Sequence, residues 1–138
     1  MGLFKKLFRS ISSKSKLEKD IYSASDWIYK ALTSSGYNVS YSVEGMKEID
    51  RFFDNPNGRA HIDSKPGTIL FALGSFVGET AIKVYGGEWI VDDEDPEGEV
   101  SIAVKLTNGS MIFPVIKCME RYKNGVEDSI FAYLSCLK

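Results

Sequence analysis

The sequence predicts a single α+β domain in which a three-stranded antiparallel sheet packs against a long buried helix, and three observations carry that prediction. Residues 99–107 and 110–113 alternate apolar and polar side chains on either side of Asn108-Gly109, the pattern of a half-buried hairpin. Residues 66–85 are apolar around most of the helical circumference, as a helix enclosed by protein must be. Flanking segments at about 16–35, 43–54, 114–123 and 126–137 repeat apolar residues at helical spacing, and a further strand is expected at about 88–92. With 138 residues and 43% hydrophobic content, the chain can build one core but not two comfortable ones. The expected organisation is a basic segment and linker, 1–15, followed by one domain, 16–138.

Taken in order, residues 1–11 place Leu3, Phe4, Leu7, Phe8 and Ile11 on one helical face and Lys5, Lys6 and Arg9 elsewhere. That is a short basic amphipathic helix, able to lie on an anionic membrane surface. Lys6 stands where a myristoylation signal needs Ser or Thr, so the contact would be weak and salt-dependent. The alternatives are a frayed tail or a helix docked on its own domain. Four serines between Ser10 and Ser15 read as a linker. Leu17, Ile21, Ala24, Trp27, Ile28, Ala31 and Leu32 then mark the first domain helix, with Trp27 expected in the core. Ser42 is the expected N-cap of a second helix that buries Val43, Met46, Ile49, Phe52 and Phe53. Asp54-Asn55-Pro56-Asn57-Gly58 reads as its end, and the residues from there to Pro66, including Arg59 and His61, as a loop. A lone histidine without a second ligand nearby reads as structural or incidental.

Pro66 suits the first turn of the central helix, and Gly86-Gly87 supply the positive φ that ends one. Gly74 and Gly78 each cost up to about 1 kcal/mol in a helix interior, so another element should approach closely there; the alternative is a ligand groove. Glu79 has Lys83 one turn later as a solvated partner. Its second reading is a carboxylate in a pocket near Trp89, where burial would tune it for acid–base work or ligand binding.

Six of the eight residues 92–99 are acidic. A calcium loop starting there would need its bidentate Glu at Val104, so no specific metal site is expected. The run reads either as a solvated loop or as a negative surface that steers a basic partner. In the hairpin, a two-residue Asn108-Gly109 turn would set Thr107 opposite Ser110, Leu106 opposite Met111 and Val104 opposite Phe113. Pro114 opens a helix in which Val115, Cys118, Met119 and Tyr122 share a face, closed by Asn124-Gly125. The last helix should turn Val126, Ile130, Tyr133, Leu134 and Leu137 inward.

Charge narrows the function. The net charge of -2 divides into +5 for residues 1–19 and -7 for the rest, and an acidic body does not suit nucleic-acid phosphates. Cys118 and Cys136 have no metal or redox spacing, so both read as reduced, half-buried thiols of a cytoplasmic protein. The N-terminus has no uninterrupted apolar h-region, and no segment is expected to reach the length of a membrane span. Gly74-Ser75-Phe76-Val77-Gly78 places its serine one position early for a nucleophile elbow, and within a helix. A Cys118 and His61 dyad stays open, although nothing local activates the thiol. The expectation is a protein without catalytic residues, cofactor or metal.

The pattern Leu73-Gly74-x-x-x-Gly78-Glu79, then Gly86-Gly87-x-Trp89, Phe113-Pro114, and Arg121 before Gly125 resembles small bacterial domains of unknown function. Some of these small acidic proteins are similar to immunity proteins of bacterial toxin systems. The resemblance covers about residues 42–137, its glycines and tryptophan are scaffold-like, and it implies no catalytic residue. The leading expectation is a non-catalytic cytoplasmic module that binds a protein, such as a basic toxin, through Asp92, Asp93, Glu94, Asp95, Glu97 and Glu99. One alternative is peripheral attachment to the inner membrane surface through Leu3, Phe4, Lys5, Lys6, Leu7, Phe8 and Arg9. The other is a small-ligand-binding or hydrolytic domain with Glu79 and Trp89 in a pocket.

Overall fold

A computed structural model describes residues 15–137. Its first helix, α1 (Lys16–Ser34), starts where the Ser15 side chain accepts a hydrogen bond from Glu18 N at 3.1 Å. Leu17, Ile21, Ile28 and Leu32 are buried along it. Next come α2 (Met46–Asp54), α3 (Pro56–Ser64) and the central α4 (Pro66–Tyr85). The sheet has the order β1-β2-β3, all antiparallel, from β1 (Gly87–Ile90), β2 (Ala103–Leu106) and β3 (Met111–Ile112), with a helical turn α5 (Gly98–Ser101) before β2. Then follow α6 (Pro114–Asn124), a 3-10 turn (Gly125–Asp128) and α7 (Ile130–Ser135). The predicted α+β class holds, with α4 packed against α1, α6 and the sheet.

The two glycines of α4 explain how its neighbours come so close. A Cβ on Gly74 would stand 2.7 Å from Val115 Cα at the start of α6, and one on Gly78 would stand 2.1 Å from the Trp89 ring on β1. Close packing is therefore the role of both residues. α4 is also long and apolar enough to cross a membrane, by length and composition alone, which corrects the expectation that no segment is. Eleven of its residues are buried inside the domain, as a core helix requires. Ser75 is among them, its hydroxyl donating to Phe71 O at 2.8 Å.

Several expected elements differ from those observed. Residues 56–64 form α3 and not a loop, because Asn55 accepts from Asn57 N at 2.8 Å and Pro56 occupies the first turn. α2 becomes regular only at Met46, although Ser42 Oγ does accept from Gly45 N at 3.0 Å. The strand expected at 99–107 shortens to β2, since residues 98–101 wind into α5. The hairpin register is shifted by one: Val104 pairs with Ile112, Lys105 with Met111, and Leu106 N bonds to Ser110 O. Only Gly109 takes a positive φ there, whereas a two-residue type I′ turn would need one at Asn108 as well. The longer turn buries Ile112 and exposes Met111 and Phe113. Trp27, expected in the core, is 48% exposed, and Val126, expected inward, is 70% exposed.

The helix expected at 126–137 breaks at Ser129, and the cause lies on α2. Asp50 Oδ1 accepts from Ile130 N at 2.9 Å, and Oδ2 accepts from Phe131 N at 3.0 Å and from Ser129 Oγ at 2.8 Å. A carboxylate from elsewhere in the chain thus caps the first turn of α7. The same Oδ1 accepts from Arg121 Nε at 2.8 Å, while Arg121 Nη2 donates to Asp54 Oδ1 at 2.7 Å and to Asp50 O at 3.3 Å. Arg121 is only 1% exposed, with its guanidinium carbon 5.3 Å from the centre of the Phe53 ring.

Three substitutions test these supports by urea unfolding. Gly74→Ala should lower stability by about 1–3 kcal/mol, because the backbone at Val115 blocks the added methyl and overpacking outweighs the gain in helix propensity. Asp50→Asn should cost about 3–5 kcal/mol, since it strands a buried guanidinium, whereas Asp54→Asn at a half-exposed carboxylate should cost less than about 1 kcal/mol.

Candidate functional site

The acidic run after β1 is a folded structure with a definite division of labour. Asp92 Oδ1 accepts from Glu94 N at 3.0 Å, and Asp95 Oδ1 accepts from Glu97 N at 2.9 Å, two successive Asx turns. Asp95 Oδ2 also accepts from Ser101 Oγ at 3.1 Å, tying the run to α5. Asp93 Oδ1 accepts from Leu17 N at 3.0 Å, so the run is fastened to the first turn of α1. Gly98 permits this closeness, since a Cβ there would stand 2.7 Å from Asp92 O and 3.2 Å from Leu17 Cδ2. The three aspartates build the loop and the three glutamates do not.

Glu94, Glu97 and Glu99 are exposed, as is Asp20 on α1. Asp20, Asp92, Asp93, Asp95 and Glu99 line one cleft of about 110 Å³ together with Lys16. Asp20 and Glu99 continue into a second cleft, of about 550 Å³, walled by Trp27 and Phe71. Among the described residues, none of Asp20, Glu94, Glu97 and Glu99 has a salt bridge within 4.0 Å. No group of three or more His, Cys, Asp or Glu among the described residues is arranged to hold a metal ion. Among the described residues, the arrangement thus sets four carboxylates without salt bridges on a fixed frame, with Lys16 as the cation of the smaller cleft.

Glu79 and Trp89 are brought together, with Trp89 Nε1 donating to Glu79 Oε2 at 2.8 Å. The indole fills the space over Gly78, so the hydrogen bond holds β1 to α4 and satisfies a buried N–H. This corrects the expected pair with Lys83, whose Nζ lies 5.1 Å from the centre of the Tyr41 ring. That ring stacks on Phe76 at 4.5 Å, a contact that gives the Lys83 cation an aromatic face.

The two cysteines differ more than the sequence implied. Cys118 is buried and Cys136 exposed. Burial, followed by the nearby Asp50 charge, pushes the Cys118 thiol well above its ordinary range. His61 is exposed on α3, where it lines a surface cleft. The buried, protonated thiol is a poor nucleophile in this setting. Leu3, Phe4, Lys5, Lys6, Leu7, Phe8 and Arg9, the expected membrane contacts, lie outside the described residues, as does most of the 1–15 segment.

Sequence reasoning missed the division between loop-building aspartates and outward glutamates, the participation of Asp20, and the role of Arg121 in the core. Asx-turn spacing at Asp92 and Asp95, each two residues before its backbone donor, was the available signal for the first. Nothing local announces the other two. No family model, curated protein or solved structure matches the chain.

Thiol labelling of the native protein at neutral pH should modify Cys136 and spare Cys118 until the domain is unfolded. Mass spectrometry of the labelled peptides reads the result directly.

Proposed function

We propose that this chain is a non-catalytic, cytoplasmic protein-binding module that presents its acidic surface to a basic partner, in the manner of an immunity-type inhibitor of a basic toxin. The observation that supports it most is the exposed set Glu94, Glu97, Glu99 and Asp20, without salt bridges among the described residues and on a backbone pinned to α1. A surface of this kind loses little conformational freedom on binding, because the loop is ordered beforehand by its own aspartates. Clustered like charges also raise the association rate with a cationic protein and set its orientation. Their mutual repulsion is a cost to the free protein that a basic partner would relieve. The division of labour indicates which side chains would meet that partner: the glutamates and Asp20, with Asp92, Asp93 and Asp95 holding the frame.

The test is capture of the products of neighbouring genes by the wild type and by a variant carrying Glu94→Gln, Glu97→Gln, Glu99→Gln and Asp20→Asn. Because these side chains are exposed and outside the hydrogen bonds that build the loop, the variant should keep its circular dichroism and unfolding midpoint. Its association rate with a basic partner should fall about tenfold or more at low salt, with a weaker dependence on ionic strength. Capture of no basic partner, or equal rates for the two proteins, would refute the proposal.

A further inference from the structure

The exposure of Trp27 opens a further cleft along the groove between α1 and α4, beyond the one that holds Asp20 and Glu99. There the indole forms one wall of a cleft of about 380 Å³, between α1, α3 and the start of α4. Such a volume lies within the roughly 300–1,000 Å³ usual for small-molecule sites. Ile28 and Leu32 of α1, Phe52 of α2 and Ile69 of α4 close its floor. Its rim carries Lys65, His61 and the hydroxyl of Thr68.

The charge of this cleft is opposite to that of its surroundings. Among the described residues no Asp or Glu lines it, whereas the two neighbouring clefts contain Asp20 and Glu99. In a body with a charge of -7 beyond residue 19, a concave surface with lysine and histidine as its titratable groups is an exception. Lys65 is exposed and has no salt bridge among the described residues. An apolar floor with a cation at one edge complements a molecule with an apolar body and one negative head group. A cationic amphiphile would find no counter-charge here, and a neutral one would leave the lysine unused.

We propose that this cleft binds a small anionic amphiphile of the monocarboxylate class, its chain on the Ile28, Leu32, Phe52 and Ile69 floor against the Trp27 indole and its carboxylate at Lys65. The site shares Trp27 and Thr68 with the neighbouring cleft of Asp20 and Glu99 but uses none of the four acidic side chains, so it stands or falls separately from the proposed protein partner.

Sodium decanoate below its micelle concentration is the probe, with decanol and decyltrimethylammonium as matched controls, and tryptophan emission of the full chain as the readout. Trp27 supplies the signal, because Trp89 is buried and bonded to Glu79, and Trp27→Phe should remove it. Decanoate should shift the emission saturably, with affinity above both controls. Lys65→Ala should weaken decanoate about fivefold and leave decanol unchanged, as loss of one exposed charge pair implies. Ala31→Phe, at a half-exposed position on the lining, should abolish binding by filling the cleft. Absence of a saturable shift overturns the proposal, as does decanol or decyltrimethylammonium binding as tightly as decanoate. Indifference of binding to Ala31→Phe would also overturn it, by placing the probe elsewhere.

Discussion

A single buried cation organises the helical half of this domain. Arg121 lies almost wholly out of water on α6, and a guanidinium there is tolerable only with carboxylates in contact. Asp50 supplies the more buried one, and its remaining lone pairs receive the first backbone N–H groups of α7. Three elements distant in sequence are thereby fixed by one side chain: α2 carries it, α6 neutralises it, and α7 begins on it. The break at Ser129 and the outward turn of Val126 follow, because a continuous helix from 126 would place no free N–H groups at Asp50.

The other half depends on shape. Without side chains at Gly74 and Gly78, α4 admits the start of α6 at one turn and the Trp89 indole at the next. Glu79 then completes the hydrogen bonding of that indole, so its carboxylate docks β1 on α4. β1 leads directly into the acidic run, and Asp93 returns the chain to α1. The position of the outward glutamates is thus inherited from the glycines of α4 through two connections. A tightly packed helix and a charged surface loop are parts of one construction.

Charge is partitioned over the surface in a way the net value of -2 conceals. Among the described residues, negative groups without salt bridges gather where α1 meets the 92–99 run, while the cleft beyond Trp27 has Lys65 and His61 and no carboxylate. Trp27 lines a cleft on each side. A large aromatic ring left half in water between an anionic and a cationic hollow is the feature that most distinguishes this surface from a plain solvated face.

The sequence by itself determined the α+β class, the limits of α4 between Pro66 and Gly86, the existence of the hairpin, the packing role of the glycines and the place of the acidic run. Each is written in local terms: periodicity, turn residues, or composition over a few positions. Asn55-Pro56 was equally local, and α3 was legible in it as an N-cap followed by a first-turn proline. Tertiary structure alone decided the register of β3, the outward face of Trp27, the break in the last helix and the partners of Arg121 and Glu79. A one-residue difference in turn length exchanges the faces of β3 without altering its alternation, and an apolar helical stripe does not say how much of its width a neighbour will cover. Asp50 and Arg121 stand 71 residues apart, and their attraction acts only once the helices between them have been brought into contact.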